Sequence, residues 1–337
     1  MKVIEIQKAA GIDGLALATR PAPAKPGPKQ VLIKMRAAAL NFRDLLIVNG
    51  VYNPALRVPH VPLSDGVGEV VAVGEQVTRV KAGDRVAGTF SQNWLSGELT
   101  PEKARPTLGG DVDGVLAEYV VLHEDGLVHV PAHLTDEEAA TLPCSAVTAW
   151  NALTVEGRVK AGDTVLVQGT GDVSLAAIQF AHLLGTRVIV TSSSDEKILR
   201  ARKLGAAEGI NYRRTPDWDE EALRLTEGAG VDYVVEVGGA GTLPKSLRAV
   251  RMGGQVGLIG ILAGVSAEIP ILPILFKKIR VQGVLVGSRE TFESMNRAIA
   301  LHKLKPAVAR VFPFEEAKEA FRYKQSGSNF GKVVIRF

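Results

Sequence analysis

The stretch Thr164-Val-Leu-Val-Gln-Gly-Thr-Gly-Asp-Val-Ser174 decides how the chain is read. An apolar run ends in Gly169-Thr170-Gly171, and beyond Asp172 and Val173 the residues Ile178 and Ala181 or His182 suit one buried face of a helix. A Gly-x-Gly alone is weak evidence. Between a strand and a helix of a βαβ unit it is the context that dinucleotide binding requires. Gly169 suits the tight turn, and Gly171 leaves bare backbone, so that a pyrophosphate can lie against free amides at the helix N-terminus. An ordinary glycine turn is the competing reading.

Downstream, the rhythm is strand, helix, strand, as in a parallel sheet covered by helices. Six strands are expected, at Thr164 to Gln168, Arg187 to Thr191, Gly209 to Asn211, Tyr233 to Val237, Gly254 to Ile259 and Arg280 to Val286. That predicts a doubly wound α/β fold. At the end of the second strand, an NAD site places an acidic residue to accept from the ribose hydroxyls. Here the sequence is Thr191-Ser192-Ser193-Ser194 followed by Lys197, which suits a 2′-phosphate; Tyr212 adds a donor from the side. NADP(H) is therefore the expected cofactor. Asp195 is the rival ligand for NAD, and a capping box of Ser193 with Glu196 is the structural alternative for the serines.

Upstream, from Val3 to about Leu122, short alternating segments separated by turns predict a β-rich domain: Val31 to Ala37, Gly68 to Val73, Arg85 to Gly88 and Glu118 to Val121. Pro21 to Pro28 reads as a rigid connector, and Ser91 to Asp113 as a long polar loop of the kind that covers a site. Val80-Lys-Ala-Gly-Asp-Arg-Val86 and Val159-Lys-Ala-Gly-Asp-Thr-Val165 echo each other as repeated turn chemistry. After Thr291 come a helix, a second around Glu315 to Lys324, and a strand Lys332 to Ile335 expected to return to the first domain. The expected division is 1–125 with 287–337 as substrate domain, and 126–286 as dinucleotide-binding domain.

The 337 residues carry a formal charge of only +4, without long runs of one sign, so neither nucleic acid nor an anionic membrane is expected as a partner. The longest apolar stretch, Ile259 to Leu275, is interrupted by Gly260, Gly264, Ser266, Glu268, Pro270 and Pro273. No leader pattern opens the sequence, and a cytoplasmic protein is expected. The single cysteine, Cys144, rules out an internal disulfide and any all-cysteine metal site.

Several stretches together resemble the medium-chain dehydrogenase/reductase superfamily, in its zinc-free quinone oxidoreductase-like branch, over essentially the full length. They are Leu40-Asn-Phe-Arg-Asp-Leu-Leu46, Pro62-Leu-Ser-Asp-Gly-Val-Gly-Glu-Val70, Gly83-Asp-Arg-Val86, Thr141-Leu-Pro-Cys-Ser-Ala-Val-Thr-Ala-Trp150 and Val165 to Ser174. The resemblance implies a Rossmann domain joined to a GroES-like substrate domain. Zinc-dependent members hold their catalytic metal through cysteine, histidine and a second cysteine; the matching positions here carry Asn41, Ser64 with Asp65, and Cys144. One soft ligand of three predicts no catalytic zinc, and the absence of cysteine from Ser91 to Asp113 predicts no structural zinc. His129 and His133 have helical spacing, but Pro131 lies between them, and they are read as a chance pair.

Resemblance further implies that Asn41 lines the nicotinamide and substrate pocket, with Thr148 near the nicotinamide and Tyr52 a proton donor or substrate contact. Against these stand a strand terminator for Asn41, packing for Tyr52, and a structural ion pair for Arg43 with Asp44. Backbone groups of Ile261 and Val286 are expected to hold the carboxamide; Asn329 and Lys332 are further cofactor candidates. The edge strand from Arg280 is expected to pair subunits in a homodimer. Relatives usually carry glycine where this chain has Asp172; a carboxylate ~4 Å from the pyrophosphate costs about 4 kcal/mol at an effective dielectric near 20, against ~0.3 to 1 kcal/mol gained at the helix N-terminus. The expected function is NADPH-dependent, zinc-free hydride transfer to a small quinone or α,β-unsaturated carbonyl. The alternative is a catalytically quiet NADPH-binding sensor or interaction protein.

Overall fold

A computed structural model describes residues 1–8 and 10–337. The chain divides into two compact units, Met1–Val147 with Gly287–Phe337, and Thr148–Val286.

In the second unit, strands β1 (Thr164–Gln168), β2 (Arg187–Ser192), β3 (Glu208–Asn211), β4 (Val231–Glu236), β5 (Val250–Leu258) and β6 (Arg280–Gly283) form one parallel sheet. Their order, β3-β2-β1-β4-β5-β6, is that of the doubly wound dinucleotide fold, reversing direction between β1 and β4. Val165, Leu166 and Val167 of β1 and Val188, Ile189 and Val190 of β2 are fully buried, as strands covered on both faces must be. Helix α1 (Asp172–Leu183) follows β1 and buries Ile178 and Ala181, while His182 is exposed; α2 (Asp195–Lys203) follows β2. The last strand is shorter than expected, ending at Gly283; among the described residues it pairs with β5 alone, and every residue of it is exposed.

In the first unit, a seven-stranded sheet runs Val308–Pro313, Lys332–Arg336, Gln30–Ala39, Asp65–Val73, Arg85–Gly88, Leu127–His129, with Tyr119–His123 also paired to Gln30–Ala39. The strand Lys332–Arg336 pairs antiparallel with Gln30–Ala39, so the C-terminus returns to this sheet. Leu127–His129 pairs with Arg85–Gly88, which carries the unit past residue 125, to Val147. The loop Ser91 to Asp113 is more organised than its composition suggests: it holds a short helix, Pro101–Ala104, capped by Thr100, and Asp111 accepts from both the amide and the hydroxyl of Thr107 at 2.8 Å. His129 and His133 have separate partners, Asp84 at 3.0 Å and the Leu304 carbonyl at 3.1 Å. Among the described residues no helix is long and apolar enough to cross a membrane.

Candidate active site

In the second unit the phosphate turn is built from β1 outward. Gly169 has φ of 72°, in the left-handed region that glycine enters without strain. Gly171 is the N-cap of α1, and Asp172 is the first helical residue, with Val173 and Ser174 next. A Cβ built on Gly171 meets no atom within 4 Å, so packing does not require this glycine. What it provides is open backbone at the positive end of a three-turn helix, which fits a dinucleotide pyrophosphate. The turn is braced behind: the Ser174 hydroxyl donates to the Gln168 carbonyl at 2.7 Å, and the hydroxyls of Thr170 and Ser192 lie 3.3 Å apart.

At the end of β2 the cap differs from the capping box weighed above. Ser194 is the N-cap, accepting from the Lys197 amide at 3.3 Å, because it is the last residue with extended backbone before the helix. Ser193, half-buried, stands outside that cap. Asp195 is engaged elsewhere: Asn211 donates to one of its oxygens at 2.6 Å, and Arg214 pairs with the other at 2.6 Å. The Lys197 amine is held below the usual lysine range, first by burial and then by the charge of Arg200, and it gains from a nearby anion. Tyr212 is exposed on this rim, its amide bonded to the Ser192 carbonyl at 3.0 Å.

Across the switch point lies a feature that sequence reasoning missed. Glu236 ends β4 fully buried and accepts from the amides of Gly238 and Gly239 at 2.8 and 3.0 Å, from Thr242 at 2.6 Å and from Gln168 at 2.6 Å. Ser246 also donates to it. This clamp fixes the turn after β4 against the turn after β5: Gly239 has φ of 79°, and a Cβ there would sit 2.9 Å from the Gly260 carbonyl oxygen. Ile261, expected at the carboxamide, is exposed on the second turn, whereas Val286 and Thr148 are buried. A charged residue closing the apolar run Tyr233–Val235 was the available signal.

In the first unit the structure brings Asn41 and Lys332 together and adds two partners. Lys332, the first residue of its strand, is 3% exposed, and its ammonium lies 2.6 Å from Asn41 Oδ1, 3.1 Å from Asp65 Oδ2 and 3.4 Å from Ser145 Oγ. Ser145 donates to Asn41 Oδ1 at 3.1 Å, Ser64 donates to Asp65 Oδ1 at 2.7 Å, and the Cys144 amide reaches Asp65 Oδ2 at 3.3 Å. Burial, and next the charge of Asp65, push the Cys144 thiol up to about 12. Tyr52 is exposed, with its ring 5.5 Å from the Arg43 guanidinium. Arg43 is 3.7 Å from Asp44, stacks on Phe90 at 4.3 Å and donates to the Leu108 carbonyl at 2.6 Å. Asn329 is buried and donates to the Gly331 carbonyl at 2.8 Å.

A catalytic zinc takes thiolate, imidazole or carboxylate ligands in tetrahedral array. Here Cys144 offers the one thiol, Asn41 offers a neutral amide oxygen, and an ammonium already sits among the acceptors. These residues do not fit zinc. Among the described residues no group of three or more His, Cys, Asp or Glu side chains could hold a metal.

Comparison with known proteins agrees over the whole length. Residues 27–132 match the alcohol dehydrogenase GroES-like domain, and residues 173–300 match the family described as zinc-binding dehydrogenase. A zinc-type alcohol dehydrogenase-like protein of Schizosaccharomyces pombe is 44% identical over 332 residues, 97% of this chain and 96% of the other. Quinone oxidoreductase-like protein 2 of Bos taurus is 28% identical over 91% of this chain and 85% of its own. A solved NAD-dependent alcohol dehydrogenase superposes with a TM-score of 0.92 at 37% identity, covering 100% of both chains.

Proposed function

Since this chain belongs to the medium-chain dehydrogenase/reductase superfamily of nicotinamide-dependent oxidoreductases, we propose that it is a zinc-independent, NADPH-dependent reductase of quinones or α,β-unsaturated carbonyls. The observation that carries the cofactor choice is the rim at the end of β2. Serines 192 and 193 and Lys197 stand there, while Asp195, which in an NAD site would accept from the ribose, has both oxygens engaged by Asn211 and Arg214. A 2′-phosphate finds hydroxyl donors and a lysine whose charge it stabilises.

When bound, the reduced nicotinamide supplies a hydride, and a proton from solvent or a side chain completes reduction of the acceptor. The work of this chain is positioning and hydrogen bonding. The Gly169–Val173 turn takes the pyrophosphate, backbone groups of Ile261 and Val286 take the carboxamide, and Thr148 and Asn329 flank the cofactor. Asn41 donates its amide hydrogen to the substrate oxygen, and Tyr52, exposed beside Arg43, serves as substrate contact or proton donor. Conjugated acceptors suit this arrangement, because their developing charge is already delocalised. The edge strand β6 and the exposed Leu272, Leu275, Phe276 and Leu285 support a homodimer, testable by sedimentation.

Asp172 in the phosphate turn favours a second reading, a catalytically quiet NADPH-binding protein. One titration separates the readings. Metal-free protein is titrated with NADPH and with NADH, and a quinone and an enone are then added. Tighter binding of NADPH and its oxidation without zinc support the reductase, whereas binding without turnover supports the quiet protein. Tighter binding of NADH, as the solved NAD-dependent relative would suggest, overturns the cofactor choice.

A further inference from the structure

The directions of the hydrogen bonds around Lys332 follow from chemistry alone. An ammonium only donates, so the Asn41 atom 2.6 Å away is the carbonyl oxygen, and Ser145 accepts from Lys332 while donating to that oxygen. A carboxylate only accepts, so Ser64 donates to Asp65. All three ammonium protons have acceptors, and Asn41 Oδ1 receives two donors. The Asn41 Nδ2 is thereby turned the other way, with one long contact of 3.5 Å, to Ser64. A free asparagine amide flips readily; this one has its carbonyl end held by a charge.

We propose that Lys332 is the resident cation of this centre in place of a metal ion, and that it is a positioning residue, locking the Asn41 amide so that its NH2 group points away from the ammonium as a donor. The second part rests on the carbonyl-reductase reading above. Four segments converge to make the lock: the N-cap of the helix Phe42–Val48, the first residue of the strand Asp65–Val73, the π-helix Leu142–Ala146 and the first residue of the strand Lys332–Arg336. With Asp65 at 0% and Lys332 at 3% exposure, both charges are shielded from bulk solvent. A divalent ion entering the same acceptors would have to displace the ammonium.

The test uses the full chain as wild type, Lys332→Met, and the double variant Lys332→Met/Asp65→Asn, which removes both charges and so keeps the site neutral should the single variant not fold. Zinc content is measured after growth and dialysis with excess zinc, and kcat and KM for NADPH and a quinone are then determined. The expected result is substoichiometric zinc in the wild type. In the double variant kcat falls about a hundredfold, in the range for loss of an aligned oxyanion donor, with KM for NADPH nearly unchanged. A merely structural pair predicts that neutralising both charges restores kcat, and that outcome overturns the positioning role. Stoichiometric zinc in the wild type overturns the cation assignment. If the wild type binds NADPH yet reduces neither quinone nor enone, the reductase reading and the positioning role fall together, while zinc content still decides the cation.

Discussion

Around Lys332 every ammonium proton meets an acceptor supplied by the chain, whereas at Gly171 the backbone opens a helix onto space in which an added Cβ would touch nothing within 4 Å. The first arrangement closes its own charge. The second leaves backbone open at the N-terminus of a helix, with Lys197 nearby at the end of β2. Substitution in the closed site therefore registers first as stability, because a buried charge loses its partner. Substitution in the open turn registers first as affinity, because the folded protein has nothing there to lose.

The largest expected effect breaks the closed site. Lys332→Met strands the Asp65 carboxylate and should lower unfolding free energy by about 3 to 5 kcal/mol, read by urea denaturation; adding Asp65→Asn should recover most of it, and a single-variant loss below about 1 kcal/mol would mean the pair behaves as an exposed one. At the open turn, Gly171→Ala should leave stability within about 0.5 kcal/mol while weakening NADPH about tenfold or more, measured by fluorescence titration; equal losses in both would erase the contrast. Lys197→Ala should weaken NADPH by about tenfold and spare NADH. Asp172→Gly sharpens the picture from the other side: NADPH should bind more tightly by about tenfold or more, at a stability cost of ~0.3 to 1 kcal/mol from the lost helix-terminus charge.

The smallest effect concerns pH. Burial, the dominant influence, holds the His60 imidazole below its ordinary value. The unfolded chain then takes up its proton first as pH falls past about 6.5, so this group's contribution is present above that pH and is lost through the folded pKa below it. His60→Gln should flatten the acid limb of a thermal-stability profile, and an unchanged limb would assign it to other groups.

Local chemistry was legible in the sequence wherever one segment suffices. The two Val-Lys-Ala-Gly-Asp echoes fold alike: Gly83 and Gly162 have φ of 90° and 89°, and Asp84 and Asp163 each accept from the amide of the lysine three residues before, at 3.0 Å. Neighbours within five residues determine such a turn, so it is the same in either unit. The six strands of the parallel sheet were legible for the same kind of reason, since apolar runs between glycine-rich turns have one stable way to be covered. Their ends were less so: β6 stops at Gly283, three residues short of the expected end at Val286.

Two features needed the tertiary structure. Glu236 reads as a charge misplaced at the end of an apolar run until the turn of Gly238 and Gly239 and the side chains of Gln168, Thr242 and Ser246 close on it. Lys332 reads as one basic residue after a glycine-rich turn, 291 positions from Asn41 and 267 from Asp65. The residue types and the turns they prefer are written in the sequence. Which charges share a buried space is not, because that depends on which distant strands become neighbours, and only there does Lys332 meet Asn41 and Asp65.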